Sequence, residues 1–209
     1  KFVFVGFGPY REPCEVIVNA LANNNLDQLE VALASLNPLF KGEEGNVKLL
    51  QEILSQEKET LGKLIDELGF DIRENIVFTG IAEHKELVKL IPAMDALIAP
   101  SVFPEAFGMV AIEAMACGVY PVLTYQSAFK EISDEVIEAV QDYPFKINKV
   151  FLDQNAADNI AQNLIEYFNY KATLLPTEFT GLQNVLRAVV MENYSWEGIC
   201  QKYLKAYKV

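Results

Sequence analysis

The run from Ala96 to Phe129 constrains this chain most, because its only charged side chains are Glu105 and Glu113, although Lys, Arg, Asp and Glu make up 22% of the sequence. A segment this apolar has to be packed inside the fold. Burying an ionised carboxylate is costly unless it is paired or hydrogen-bonded, so a run that keeps two of them points to a ligand that uses them.

The punctuation within the run indicates how the two carboxylates are displayed. Ala96 to Ala99 is a short apolar run ended by Pro100 and Ser101, the pattern of a buried parallel strand whose carboxyl end opens into a loop. Glu105 lies in that loop. Gly108 then opens an apolar helix, Met109 to Cys117, which Gly118 stops, and Val119 to Thr124 is the next strand. In open parallel sheets, ligands collect at the carboxyl ends of strands. A helix N-terminus there offers free N–H groups and partial positive charge to a phosphate. Helical side chains tilt toward the N-terminus, so Glu113 in the second turn can reach back and accept hydroxyls.

Glu105 and Glu113, with seven residues between them in PEAFGMVAIEAMACG, resemble the E-x7-E signature of retaining family-4 glycosyltransferases of the GT-B type, the glycogen synthase and sucrose synthase relatives. Both P-E-x-F-G and E-A-M-A-C-G stand in register. The resemblance implies that Glu105 is catalytic and, with Phe107 and Gly108, holds the donor sugar, while Glu113 holds the ribose of the nucleotide. Earlier in the chain, ENIVFTG resembles the family segment whose backbone meets the base, which places Gly80 and Ile81 there. The first loop in that family reads G-R-x-x-x-x-K-G, whereas here it reads GFGPYREP, with Phe7 at the Arg position, Glu12 at the Lys position and Pro13 at the second Gly. The resemblance carries over Gly6 as nucleotide-binding, with Arg11, one place early, standing in for the Lys. The lost cations stabilise the leaving diphosphate in the family, and each such donor is worth ~3 kcal/mol of barrier. Ser127 and Ala128 stand where the family often has a Gly pair, and Glu131 is retained.

Composition narrows the class. A 209-residue chain with 51% hydrophobic residues suits one α/β domain with a sheet buried on both faces, and no apolar run is long enough to span a bilayer. The formal net charge of −12 disfavours nucleic acid and anionic lipid. Cys14, Cys117 and Cys200 lack metal spacing and read as reduced core thiols of a cytoplasmic protein. His84, the only histidine, excludes a histidine triad or multi-histidine metal site within this chain and reads as the exposed start of a helix.

Taken in order, the chain opens at Lys1 directly on a core strand, FVFVG, which suggests a preceding N-terminal portion. Pro13 to Ala22 reads as a helix and Leu29 to Leu36 as a second strand. Asn37 to Asp71 is a polar, helix-forming insertion with a solvated face. A strand at Ile76 to Thr79 and a helix from His84 to Met94 lead into the central run. Phe145 to Leu152 reads as the last strand and Ala156 to Tyr170 as a helix. YSWEGICQKYLKAY resembles the family's closing helix, residues 195–207.

The expected fold is a Rossmann-like parallel sheet of six strands with helices on both faces, one domain over residues 1–209. It corresponds to the C-terminal half of a GT-B fold, with a cleft formed by the loops after Val5, Thr79, Ser101 and Thr124. The resemblance implies a hexosyltransferase acting with retention, a nucleotide-sugar as substrate, no cofactor or required metal, and an N-terminal acceptor domain of the same protein as partner. Two alternatives stand beside it: a degenerate GT-B binding or scaffold module, and a nucleotide-sugar epimerase.

Overall fold

The computed structural model describes residues 1–6, 8, 10–34, 48, 51, 52, 55 and 58–207, with Leu33 described by its backbone alone. Phe7, and the insertion through residue 47, lie outside the described residues. The fold class is α/β with parallel strands, as expected, and the chain divides into two compact units, Lys1–His84 and Lys85–Val209.

In the first unit, β1 (Phe2–Val5) pairs in parallel with β2 (Ile76–Gly80), from Phe2 opposite Ile76 to Val5 opposite Gly80, with a register shift after Phe4. Phe4 and Phe78 stack across the pair at 4.9 Å. The expectation that the first strand is buried is corrected: each residue of β1 is at least 39% exposed. A two-stranded sheet covers one edge of the strand and neither of its faces. Helix α1 (Arg11–Ala22) packs against α2 (Leu26–Ala34), burying Ala20 and Leu29 among Ile17, Leu21, Leu26 and Leu61, the last from α3 (Lys58–Leu68). The strand expected from Leu29 is thus a helix. Its stretch LEVALA is rich in strong helix formers, and the buried pair Leu29 and Ala32 has helical spacing.

The second unit holds the main core. Helix α4 (His84–Leu90), whose first residue belongs to the first unit, begins at the exposed His84. A 3-10 turn then leads into β3 (Ala96–Ala99), α5 (Met109–Ala116) and β4 (Tyr120–Leu123). Strands β3 and β4 pair in parallel, from Ala96 opposite Tyr120 to Ala99 opposite Leu123. All four residues of β4 are buried, so both of its faces are covered. Helix α5 contributes Ala111, Ile112 and Met115 to the core, α6 (Ser127–Ala139) adds Phe129, Ile132 and Val136, and α7 (Ala156–Thr173) adds Tyr167. Helix α8 (Pro176–Asn193), unread in the sequence, adds Leu182 and Leu186; it starts at Pro176, where the Glu178 carboxylate accepts the Leu175 N–H at 2.8 Å. Helix α9 (Trp196–Tyr207) matches the expected closing helix.

The described residues therefore hold four strands in two separate pairs instead of a six-stranded sheet. The strand expected over Phe145 to Leu152 reduces to one bridge between Val150 and Thr124. Just before it, the buried Asn163 of α7 takes up both backbone groups of Asn148, accepting its N–H at 2.7 Å and donating to its carbonyl at 2.9 Å. Those groups are then spent on a side chain and cannot form a ladder. The thiols are free, and Cys200 is exposed, which corrects its reading as a core residue.

Candidate functional site

Each unit gathers part of the sequence-derived residue set at the carboxyl ends of its parallel strands. In the first unit, the Gly6 N–H donates to the Gly80 carbonyl at 2.9 Å, so the loops after β1 and β2 leave the sheet side by side. Gly80 is buried at φ +73°, and a β-carbon there would lie 3.2 Å from Arg11 Nη1. Glycine thus provides both the left-handed backbone and the room for that guanidinium. Arg11 also donates to Glu15 Oε1 at 2.8 Å, one turn along α1. Ile81, next in the loop, is exposed. Gly6, Arg11, Gly80 and Ile81 accordingly form one neighbourhood.

The second unit holds Glu105, Phe107, Gly108 and Glu113. Gly108 caps α5 at φ +80°, with space for a β-carbon closed by Ile132 Cδ1 at 2.8 Å and the Phe129 ring at 3.0 Å. The loop can therefore run directly over α6 into the helix. At the other end of α5, Gly118 is left-handed at φ +77°, with its N–H on the Met115 carbonyl and that of Val119 on the Ala114 carbonyl. This is a Schellman stop, as the sequence implied. Ala111, Ile112, Ala114 and Met115 of α5 are buried, whereas Met109 and Val110 are exposed. Glu113, half-buried, lies three and four residues beyond that exposed pair and shares their stripe. Its carboxylate is thus carried on the side of α5 that faces away from the core, near the helix start.

Glu105 is half-buried in a loop whose backbone is fastened to the start of α6. Its N–H donates to Ser127 Oγ at 2.9 Å, and its carbonyl accepts the Ala128 N–H at 3.2 Å. Gln126 Nε2 donates to the carbonyls of Ser101 and Phe103, and Thr124 Oγ1 donates to the Ser101 carbonyl at 2.8 Å. Phe107 presents a ring that is half exposed and meets Tyr194 edge-on at 6.1 Å. Burial, followed by the neighbouring carboxylates of Glu135 and Glu131, holds the Tyr194 phenol well above its ordinary pKa, so it stays protonated. The roles of Gln126, Ser127 and Tyr194 were not read from the sequence. The only signal was that Ser127 departs from the glycine pair.

The chain is thus α/β with parallel strands, and in its second unit two carboxylates are set around the start of an apolar helix. Residues 41–174 match the family described as glycosyl transferases group 1, and the chain belongs to that family. It is 26% identical over 174 residues to an uncharacterized glycosyltransferase of Methanocaldococcus jannaschii, a match covering 80% of this chain and 38% of that protein. It is 42% identical over 60 residues to D-inositol 3-phosphate glycosyltransferase of Mycolicibacterium smegmatis, covering 29% of this chain and 13% of that protein. The crystal structure of a glycosyltransferase from Rickettsia africae aligns with a TM-score of 0.47 at 18% identity, over 99% of this chain and 47% of that one. The chain thus spans well under half the length of the curated relatives it matches. Among the described residues, no helix is long and apolar enough to cross a membrane.

Proposed function

We propose that this chain supplies the donor site of a retaining, family-4 hexosyltransferase that uses a nucleotide sugar. The observation that carries the reading is Glu105 and Glu113 flanking a glycine-capped helix start at the carboxyl end of β3. In this reading Glu105 and the N–H groups at Phe107 and Gly108 hold the sugar, and the partial positive charge at the start of α5 faces the diphosphate. Glu113 accepts the ribose hydroxyls; in the first unit, taken by itself, Gly80 and Ile81 are the groups offered to a base, and Gly6 and Arg11 those offered to phosphates. The leaving diphosphate itself helps deprotonate the acceptor, with no required metal. The acceptor is bound by an N-terminal domain of the longer protein, and the three free thiols suit a cytoplasmic setting.

One observation favours a second reading, a GT-B binding module without catalysis. Arg11, the candidate diphosphate cation, is already paired with Glu15, and Glu12 stands at the family's lysine place. Calorimetric titration with UDP-glucose, GDP-mannose, ADP-glucose and their diphosphates separates the two. Binding of a nucleotide sugar, followed by transfer in the longer protein with the anomeric configuration kept, supports the enzyme. An inverted product overturns retention, and absence of any nucleotide binding favours the module.

A further inference from the structure

We infer that Ser127 is a positioning residue that clamps the backbone of Glu105. The two polar groups of the Glu105 backbone are tied to two adjacent residues, its N–H to Ser127 Oγ and its carbonyl to the Ala128 N–H. Gln126 and Thr124 tie down the carbonyls at Ser101 and Phe103, so the loop is held both at Glu105 and upstream of it. The hydroxyl is held at a backbone angle that works against it. Ser127 has φ +42°, in the left-handed region that a residue with a β-carbon rarely occupies and glycine occupies freely. A residue suited only to the backbone there would be glycine. The serine adds an acceptor for the Glu105 amide, and it does so across 22 residues of chain.

The consequence is preorganisation. With its backbone fixed before a ligand arrives, Glu105 has only its side-chain torsions to order on binding, which lowers the entropy lost. The assignment of a sugar to Glu105 rests on the proposed function, but the clamp itself does not. Its test accordingly has one arm that needs no ligand.

In the 209-residue chain, S127A removes the hydroxyl and keeps the β-carbon, whereas S127G removes the hydroxyl and relieves the backbone. Hydrogen exchange at the Glu105 amide should quicken about tenfold in both variants, as expected when one hydrogen bond is lost. The melting temperature of S127G should nonetheless exceed that of S127A by about 2–4 °C. Affinity for whichever of UDP-glucose, GDP-mannose or ADP-glucose the wild type binds should fall roughly three- to tenfold in both variants. Affinity for the matching free diphosphate should stay within about twofold. Unchanged exchange at Glu105, or exchange and affinity losses that follow melting temperature across the pair, would overturn the clamp. If the wild type binds no nucleotide sugar, the proposed function fails, and the exchange arm alone still decides whether Ser127 holds Glu105.

Discussion

Glu105 and Glu113 sit on opposite sides of the Gly108 cap, one on a fastened loop and one on a helix stripe, and the proposed function gives them different partners. Ribose is common to donor and product, whereas the sugar is not. Glu113→Ala should therefore weaken binding of a free nucleoside diphosphate about tenfold or more, and Glu105→Ala less than about threefold, since hydrogen bonds to charged groups are worth ~1.5–3 kcal/mol. Equal losses in a titration would sink the assignment. Arg11 makes a second residue-scale test. Its pair with Glu15 is an i,i+4 contact with both side chains about one-third exposed, and such pairs are worth ~0.3–0.5 kcal/mol. A diphosphate offering charge-assisted bonds of ~1.5–3 kcal/mol outcompetes it. Arg11→Ala should then weaken diphosphate binding about tenfold and leave nucleoside binding unchanged, and indifference of the diphosphate would favour the non-catalytic module. The carboxylates were legible because ionised groups stand out in an apolar run. Ser127 was not, because a hydroxyl acting on a distant backbone amide leaves no local pattern.

Helix α5 is bounded at both ends by left-handed glycines, and its start can be tested against a glycine elsewhere. Gly108→Ala meets an unfavourable φ, costing ~1–2 kcal/mol, and places a β-carbon 2.8 Å from Ile132 Cδ1, adding ~1–3 kcal/mol of overpacking. Gly181→Ala, in the interior of α8 with nothing within 4 Å of the new atom, should stabilise by ~0.5–1 kcal/mol. Chemical denaturation followed by circular dichroism should move the two midpoints in opposite directions; a shared direction would mean that the cap geometry does not control the helix. Elements with terminal signals were the legible ones. Gly108 and Gly118 delimited α5, and Pro100 closed β3. Leu29 onward failed because a short apolar run fits either period, and only burial of Leu29 with Ala32 separates helix from strand. Phe145 to Leu152 failed for a tertiary reason, the capture of the Asn148 backbone by Asn163. Helix α8 has its stop-and-start signal in Pro176 and Glu178, a capping pattern without the usual Ser or Asp to announce it.

At the scale of the whole molecule, the charge balance sets a limit on how a diphosphate can be held. The chain carries 29 acidic against 17 basic residues, so its distant field repels an anion. In the second unit the attraction comes from backbone N–H groups at the start of α5, and in the first from Arg11. These short-range dipoles and a single cation differ from the several lysines or arginines of an ordinary polyanion site. Salt screens the two contributions unequally. With a Debye length of ~8 Å at 0.15 M, the remote carboxylates are screened well before a contact at hydrogen-bond distance. Raising salt from about 50 to 300 mM, across which the Debye length shrinks by more than half, thus removes repulsion while sparing most of the attraction. The affinity of the 209-residue chain for a nucleoside diphosphate should then fall by less than about threefold, or rise, when measured by calorimetry across that range. A drop of tenfold or more would mean that several cations grip the phosphates. In that case Arg11 would not be the main one, and the distribution of basic residues over the fold would have to be assigned anew.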